Sequence, residues 1–162
     1  MPPVVKRLEG RSAVITGAAS GIGACIAMMF SAEGANIAAI DIDNQGLQSL
    51  AKQIRKMGRQ CVEIHADLSL ETQINQATER ASRELGTIHI LVNNAGIHIN
   101  KSLIETTDED WNQIMAINLR APLLLTQRVA RQMVDGGIRG RIINITSGLA
   151  ERPAANMAAY VT

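Results

Sequence analysis

Short runs of β-branched and other apolar residues alternate along the chain with longer stretches whose apolar positions recur every three or four residues. The runs at Ser12–Thr16 (SAVIT), 36–40 (NIAAI), Cys61–His65 (CVEIH), 88–92 (IHILV) and 141–145 (RIINI) predict strands. The stretches 22–33, 45–57, 70–85 and 108–134 have helical spacing. Gly34, Gly58 and Gly86 each follow a predicted helix, where a left-handed cap is wanted. Thr107, with Asp110 three residues on, is a variant capping box for the fourth helix. Strands alternating with helices imply parallel strands, right-handed crossovers and a sheet covered on both faces. The expected fold class is therefore α/β, a doubly wound parallel sheet. No repeat, low-complexity tract or linker divides 1–162, which reads as a single domain. Asp135-Gly136-Gly137 reads as the turn between the fourth helix and the fifth strand.

Composition narrows the partners. Hydrophobic residues make up 46 % and charged residues 19 %, ordinary globular usage. Sixteen basic against fifteen acidic residues leave a net charge of +1, and the basic residues are scattered, so no field favours nucleic acid or an anionic membrane. Three aromatic residues, Phe30, Trp111 and Tyr160, are too few for a base-stacking platform. Cys25 and Cys61 lie in apolar surroundings without metal-ligand spacing and read as buried free thiols suited to a reducing cytosol. No His/Cys/Asp cluster has metal spacing either. The start, Met-Pro-Pro-Val-Val-Lys-Arg, has no apolar core of signal-peptide length. The longest apolar run, 24–30, is seven residues and far short of a membrane span. The expectation is a soluble, cytoplasmic protein without nucleic-acid or membrane partners.

Chemistry first appears where the first strand ends, in Thr16-Gly17-Ala18-Ala19-Ser20-Gly21-Ile22-Gly23. Glycines at Gly17, Gly21 and Gly23 allow a tight turn and close approach to a pyrophosphate, with free N–H groups aimed from the following helix. The spacing is Gly-x-x-x-Gly-x-Gly, and such a turn also has purely steric uses. Asp41 raises its meaning. It ends the second strand 18 residues after Gly23, where a carboxylate can accept from the adenosine ribose hydroxyls and repel a 2′-phosphate. No Lys or Arg occurs at 16–23 or 42–44, so the cofactor indicated is NAD rather than NADP. The bland alternative is that Asp41 caps the next helix.

That glycine turn, Asn93-Asn94-Ala95-Gly96, Asn118, Ser147 and Tyr160 together resemble the ordered motifs of the short-chain dehydrogenase/reductase family. The resemblance runs from about residue 8 to the end and includes thirteen residues from Ser147 to Tyr160. It implies a Rossmann-type domain in which Ser20, Ile22 and the three glycines hold the cofactor with Asp41. Asp67 and Leu68 would contact the adenine. Asn94, Ala95 and Gly96 would close the fourth strand beside the cofactor. Asn118, Ser147, Tyr160 and a lysine four residues further on would form the catalytic set, Ser147 also binding substrate and Tyr160 also touching cofactor. Family members add strands and helices beyond this point, so the chain reads as their N-terminal part, with the C-terminal portion absent. The sheet order implied is 3-2-1-4-5 with the fifth strand as an exposed edge, and the complete protein would be a homo-oligomer, dimer or tetramer.

The chemistry explains the residue types. Oxidising a secondary alcohol removes a hydride and a proton, and a phenol of ordinary pKa near 10 needs a neighbouring ammonium to take the proton at neutral pH. Ser147 can hold the substrate oxygen as charge develops on it. No histidine is spaced to activate Ser147, which argues against a hydrolase triad. Asn118 lies in an apolar stretch, and Pro122, four residues on, cannot donate to its carbonyl, so the helix should bend there. An Asn that simply bonds within the core is the alternative. His65 and His89 read as packed or surface residues, while His98, just past the 93–96 turn, can approach substrate. Glu151 and Arg152 hint at a polar substrate. The reading is an NAD-dependent oxidoreductase acting on a small-molecule alcohol or ketone. The alternative is a non-catalytic dinucleotide-binding module or an inactive fragment.

Overall fold

The computed structural model of the chain describes residues 6–161, so most of the N-terminal stretch read above for a leader lies outside the described residues. Five strands form one parallel sheet: β1 (Ser12–Thr16), β2 (Asn36–Asp41), β3 (Cys61–His65), β4 (Ile90–Asn93) and β5 (Arg141–Asn144). Their order is β3-β2-β1-β4-β5, the predicted one. The helices are α1 (Gly21–Ala32), α2 (Asn44–Lys56), α3 (Glu71–Leu85), α4 (Asp108–Met115), α5 (Ala121–Asp135) and the short α6 (Ala158–Val161).

Near-continuous apolar strands are what a sheet buried on both faces requires, and adjacent residues serve opposite cores. Val14, Ala38, Ile40, Val62, Ile64 and Leu91 pack with α3 and α5 through Ile74, Ala77, Leu125 and Val129. Ala13, Ile15, Ile37, Ala39 and Val92 pack with α1 and α2 through Ala27, Leu47, Ala51 and Ile54. Both cores are aliphatic. Gly34, Gly58 and Gly86 do turn at positive φ, +101°, +74° and +70°. The capping box is complete: Thr107 accepts from the Asp110 N–H and the Asp110 carboxylate from the Thr107 N–H.

Three expectations need correction. The ladder of β4 begins at Ile90 and runs to Asn93, two residues later than the apolar run at 88–92 starts. The helix expected over 108–134 is interrupted by a π-helical turn, Ala116–Arg120, where the Ala121 N–H donates to the carbonyl of Ala116. Pro122 has no N–H for an i to i+4 bond with Asn118, so the wider turn takes up the mismatch. Cys25 is exposed, because α1 buries the stripe Gly23, Ala27, Ser31 and Cys25 lies off it. Cys61 is buried, and desolvation pushes its thiol pKa up to about 12, so it is an inert core residue.

All five strands are parallel, so their carboxyl ends, and the loops leaving them, lie along one side of the sheet. The chain leaves β1 toward β2 and β3, then crosses back to β4 on the other flank of β1. Such a reversal of strand order opens a crevice at the carboxyl ends, where ligands of open α/β sheets bind.

Candidate active site

At that reversal the ends of β1 and β4 are joined by one hydroxyl. Thr16, 1 % exposed, accepts from the N–H groups of Asn94 and Ala95, both at 3.0 Å, and donates to the carbonyl of Val92 at 3.4 Å. The side-chain amide of Asn94 returns the contact, donating to the carbonyls of Thr16 at 2.9 Å and Gly17 at 3.1 Å. The glycine turn is thus sewn to the 93–96 turn. Sequence reasoning placed Thr16 at the head of the glycine turn but gave it no role of its own. The one signal was a hydroxyl ending a buried strand just before a glycine.

Two of the three glycines serve this packing. A Cβ on Gly17, at φ +63°, would stand 2.8 Å from Asn94 Nδ2 and 2.9 Å from Ala95 Cα. One on Gly23 would stand 2.1 Å from the Gly17 carbonyl oxygen, a clash no rotamer relieves. Gly21 differs: φ is +54° and nothing lies within 4 Å of its missing Cβ. Beside it Ser20 caps α1 without a side-chain bond, and the first turn carries no acidic residue. The N-terminal amides of α1 therefore face open space with a favourable dipole for an anion.

Asp41 does not cap the next helix. That is done by Asp43, which accepts from the Gln45 and Gly46 N–H groups. The Asp41 carboxylate instead accepts from Ala19 N at 2.9 Å, in the glycine turn, and from Asp43 N at 3.0 Å. Each oxygen keeps a lone pair, since a carboxylate oxygen can accept twice. Asp67 accepts from Ser69 N at 2.9 Å, while the Leu68 side chain is 7 % exposed within the core, so Leu68 can offer a ligand only its main chain.

A cavity of about 760 Å³ opens beside the 93–96 turn, lined among others by Ile22, Asn94, Asn118, Ser147 and Tyr160. Three elements bring these together. Ser147 follows β5 and caps a single 3-10 turn, Gly148–Ala150, its Oγ accepting from Leu149 N at 3.2 Å. Tyr160 is on α6, with its ring edge-on to His98 at 6.2 Å between centroids. Asn118 sits in the π-helical turn, and its side chain pairs with the backbone of Ile97 in both directions, Ile97 N to Oδ1 at 2.9 Å and Nδ2 to Ile97 O at 2.8 Å. Its amide is engaged as a clamp on the loop after β4. Of the predicted residues, Gly17, Ser20, Gly21, Gly23, Asp41, Asp67 and Leu68 do not line this cavity; Asp41 ends β2, and Asp67 and Leu68 follow β3.

A polar cluster around the buried Asn93 also lines the cavity. Asn93 donates to Asn144 Oδ1 at 2.8 Å and Thr126 Oγ1 at 3.2 Å, pairing β4 to β5 at the register where the two asparagines face. Among the described residues no group of three or more His, Cys, Asp or Glu could hold a metal, and no helix is long and apolar enough to cross a membrane.

The family model described as short chain dehydrogenase matches residues 11–162. The chain belongs to the short-chain dehydrogenase/reductase family. It is 37 % identical over 144 residues to a D-threitol dehydrogenase of Mycolicibacterium smegmatis, covering 89 % of this chain and 55 % of that one. Its fold superposes with a TM-score of 0.90 on a metagenomic short-chain oxidoreductase in complex with NADP, at 34 % identity, covering 95 % of this chain and 70 % of the other. It matches an NAD+-bound xylitol dehydrogenase with the same TM-score of 0.90 at 27 % identity, covering 96 % and 60 %. The chain spans 55 to 60 % of the length of the curated relatives it matches.

Proposed function

We propose that this chain, as one Rossmann-type domain, carries the cofactor site and the Ser147/Tyr160 pair of an NAD-dependent oxidoreductase that interconverts a secondary alcohol and a ketone. The observation that carries the reading is the shared cavity, into which Ser147, Tyr160 and the 93–96 turn all open. The cofactor fits the residues present. The open flank of Gly21 and the uncapped start of α1 suit a pyrophosphate, and Asp41 has lone pairs left for ribose hydroxyls. Asp67 and the main chain of Leu68 would border the adenine, and Asn94, Ala95 and Gly96 the nicotinamide side. A bound nicotinamide dinucleotide supplies the hydride acceptor or donor.

The chain's own residues do the rest. Leu149 N occupies an acceptor site on Ser147 Oγ and orients it, leaving the O–H to donate to the substrate oxygen. The Tyr160 hydroxyl exchanges the alcohol proton. Asn118 acts through the loop it clamps, keeping Gly96 and Ile97 against the cavity. Relatives of known structure hold NADP as well as NAD+, so cofactor choice rests on Asp41 alone: its charge meets a 2′-phosphate unfavourably.

The test uses the full-length protein. NAD should bind more tightly than NADP in direct titration, with Asp41→Ala narrowing the gap; a preference for NADP would overturn the cofactor assignment. Tyr160→Phe should abolish turnover of secondary alcohols while NAD affinity stays within a few-fold. Ser147→Ala should cost roughly 2–4 kcal/mol of transition-state stabilisation. Binding of NAD without turnover of any alcohol or ketone would instead support the non-catalytic module.

A further inference from the structure

Among the described residues His98 is the one ring that meets Tyr160, edge-on with an interplanar angle of 73°. It lines the same cavity as Ser147, is exposed there, and its imidazole makes no hydrogen bond within the described residues. Yet its backbone is held firmly. The residue before it, Ile97, is gripped by both arms of the Asn118 amide. Three residues after it, Lys101 pairs through its backbone with Met157, three residues before Tyr160, and through its ammonium with Asp110 at 2.6 Å. The segments bearing His98 and Tyr160 are tied to each other. A pre-positioned imidazole with unspent donor and acceptor capacity fixes orientation in a ligand pocket when its partner comes from the ligand.

The rest of the lining narrows that ligand. Ile22, Ile97, Leu119, Leu123 and Ile145 make much of the cavity lining apolar. Ser147, Tyr160 and His98 are among the polar residues that line it. With its ring centroid 6.2 Å from that of Tyr160, His98 is placed to meet a group near the reacting carbon rather than the far end of a long substrate. We propose that His98 is a specificity-determining residue that hydrogen-bonds a second hydroxyl on the carbon next to the reacting one. The substrate class is then a vicinal diol, or the matching α-hydroxyketone, and not a simple secondary alcohol. A site that hydrogen-bonds a substrate hydroxyl discriminates strongly against the analogue lacking it, because the site's own group is left unpaired.

The inference rests on the oxidoreductase reading above, and the experiment separates the two. The full-length protein is assayed with propylene glycol against isopropanol, and in reverse with hydroxyacetone against acetone. Wild type should favour the diol and the hydroxyketone. His98→Ala should lower kcat/KM for these by about tenfold or more, and change the isopropanol and acetone values by less than about twofold. His98→Asn, which keeps a donor and an acceptor, should recover part of the loss. Equal losses on both substrate types, no loss on either, or a wild type indifferent to the second hydroxyl overturns the assignment of His98 while leaving the oxidoreductase reading standing. Turnover of none of the four compounds by wild type overturns both.

Discussion

At the scale of single residues, the most consequential group is one hydroxyl. Thr16 Oγ1 is the acceptor for two backbone N–H groups, and it is buried where water cannot replace it. Thr16→Val keeps the shape and removes the acceptor, so it should cost about 1–3 kcal/mol in urea unfolding, while Thr16→Ser should cost well under that. Equal losses for the two substitutions would mean that the methyl packing matters and the hydroxyl does not. His89 makes a pH-dependent contribution. Its Nδ1 accepts from Ser12 N at 3.2 Å, and burial, followed by the nearby Arg11 charge, holds its pKa below the usual histidine value. A folded-state pKa below the unfolded one means that the unfolded chain takes up the proton first. Stability from His89 is therefore complete above about pH 6.5 and lost as pH falls below it. Unfolding free energies measured at neutral and mildly acid pH should show that decline, and His89→Asn should flatten it.

At the scale of elements, the period of the apolar residues was enough for the strands, the helices between them and the glycine-capped ends, because each of those follows from local pattern, whereas the strand order followed from the family resemblance. It misplaced β4 for an identifiable reason. Ile88 is buried and looks like a strand residue, but the ladder includes polar Asn93, whose side-chain N–H group finds its partners, Asn144 and Thr126, only on other elements. The π-helical turn was half legible. Pro122 announced a lost bond, yet the buried positions Ile114, Ala121, Leu125 and Val129 keep a continuous stripe through it, so periodicity alone reads one helix. In the site, the residue types were legible, and the pairings between residues distant in sequence were not: Asn118 with Ile97, Thr16 with Asn94, Asp41 with Ala19. The glycine turn gives the sharpest element-scale prediction. Gly23→Ala drives a methyl into the Gly17 carbonyl and the Asn94 amide, so α1 must move away from β1. NAD affinity should fall by at least about tenfold, with a stability loss on the order of 1–3 kcal/mol from overpacking. Gly21→Ala meets no neighbour and should show only the strain of its positive φ. A calorimetric titration in which both variants bind NAD like wild type would show that this turn does not hold the cofactor.

At the scale of the whole molecule, the sheet is protected unevenly. Strands β1, β2 and β4 are buried along nearly their whole length, whereas Arg141, Ile143 and Asn144 of β5 are exposed. Ile143 is the telling residue. It lies in register with Val92, whose side chain belongs to the core that α1 and α2 cover, yet Ile143 is 38 % exposed. The described helices leave that residue of the face partly uncovered. A parallel sheet is stable with both faces covered, and β5 also presents its outer row of N–H and C=O groups unpaired within the sheet. Strand-to-strand pairing with another copy would satisfy the backbone row and shield the isoleucine together. The 162-residue chain should therefore associate as its concentration rises, with a mass above 17.4 kDa in sedimentation velocity. Ile143→Lys puts a charge on that edge at little cost to the fold, within about 0.5 kcal/mol for a surface position. It should shift the distribution toward monomer, because a lysine on an edge strand opposes pairing with a second edge. If the variant associates as strongly as wild type, the contact lies elsewhere and β5 is not the surface on which copies meet.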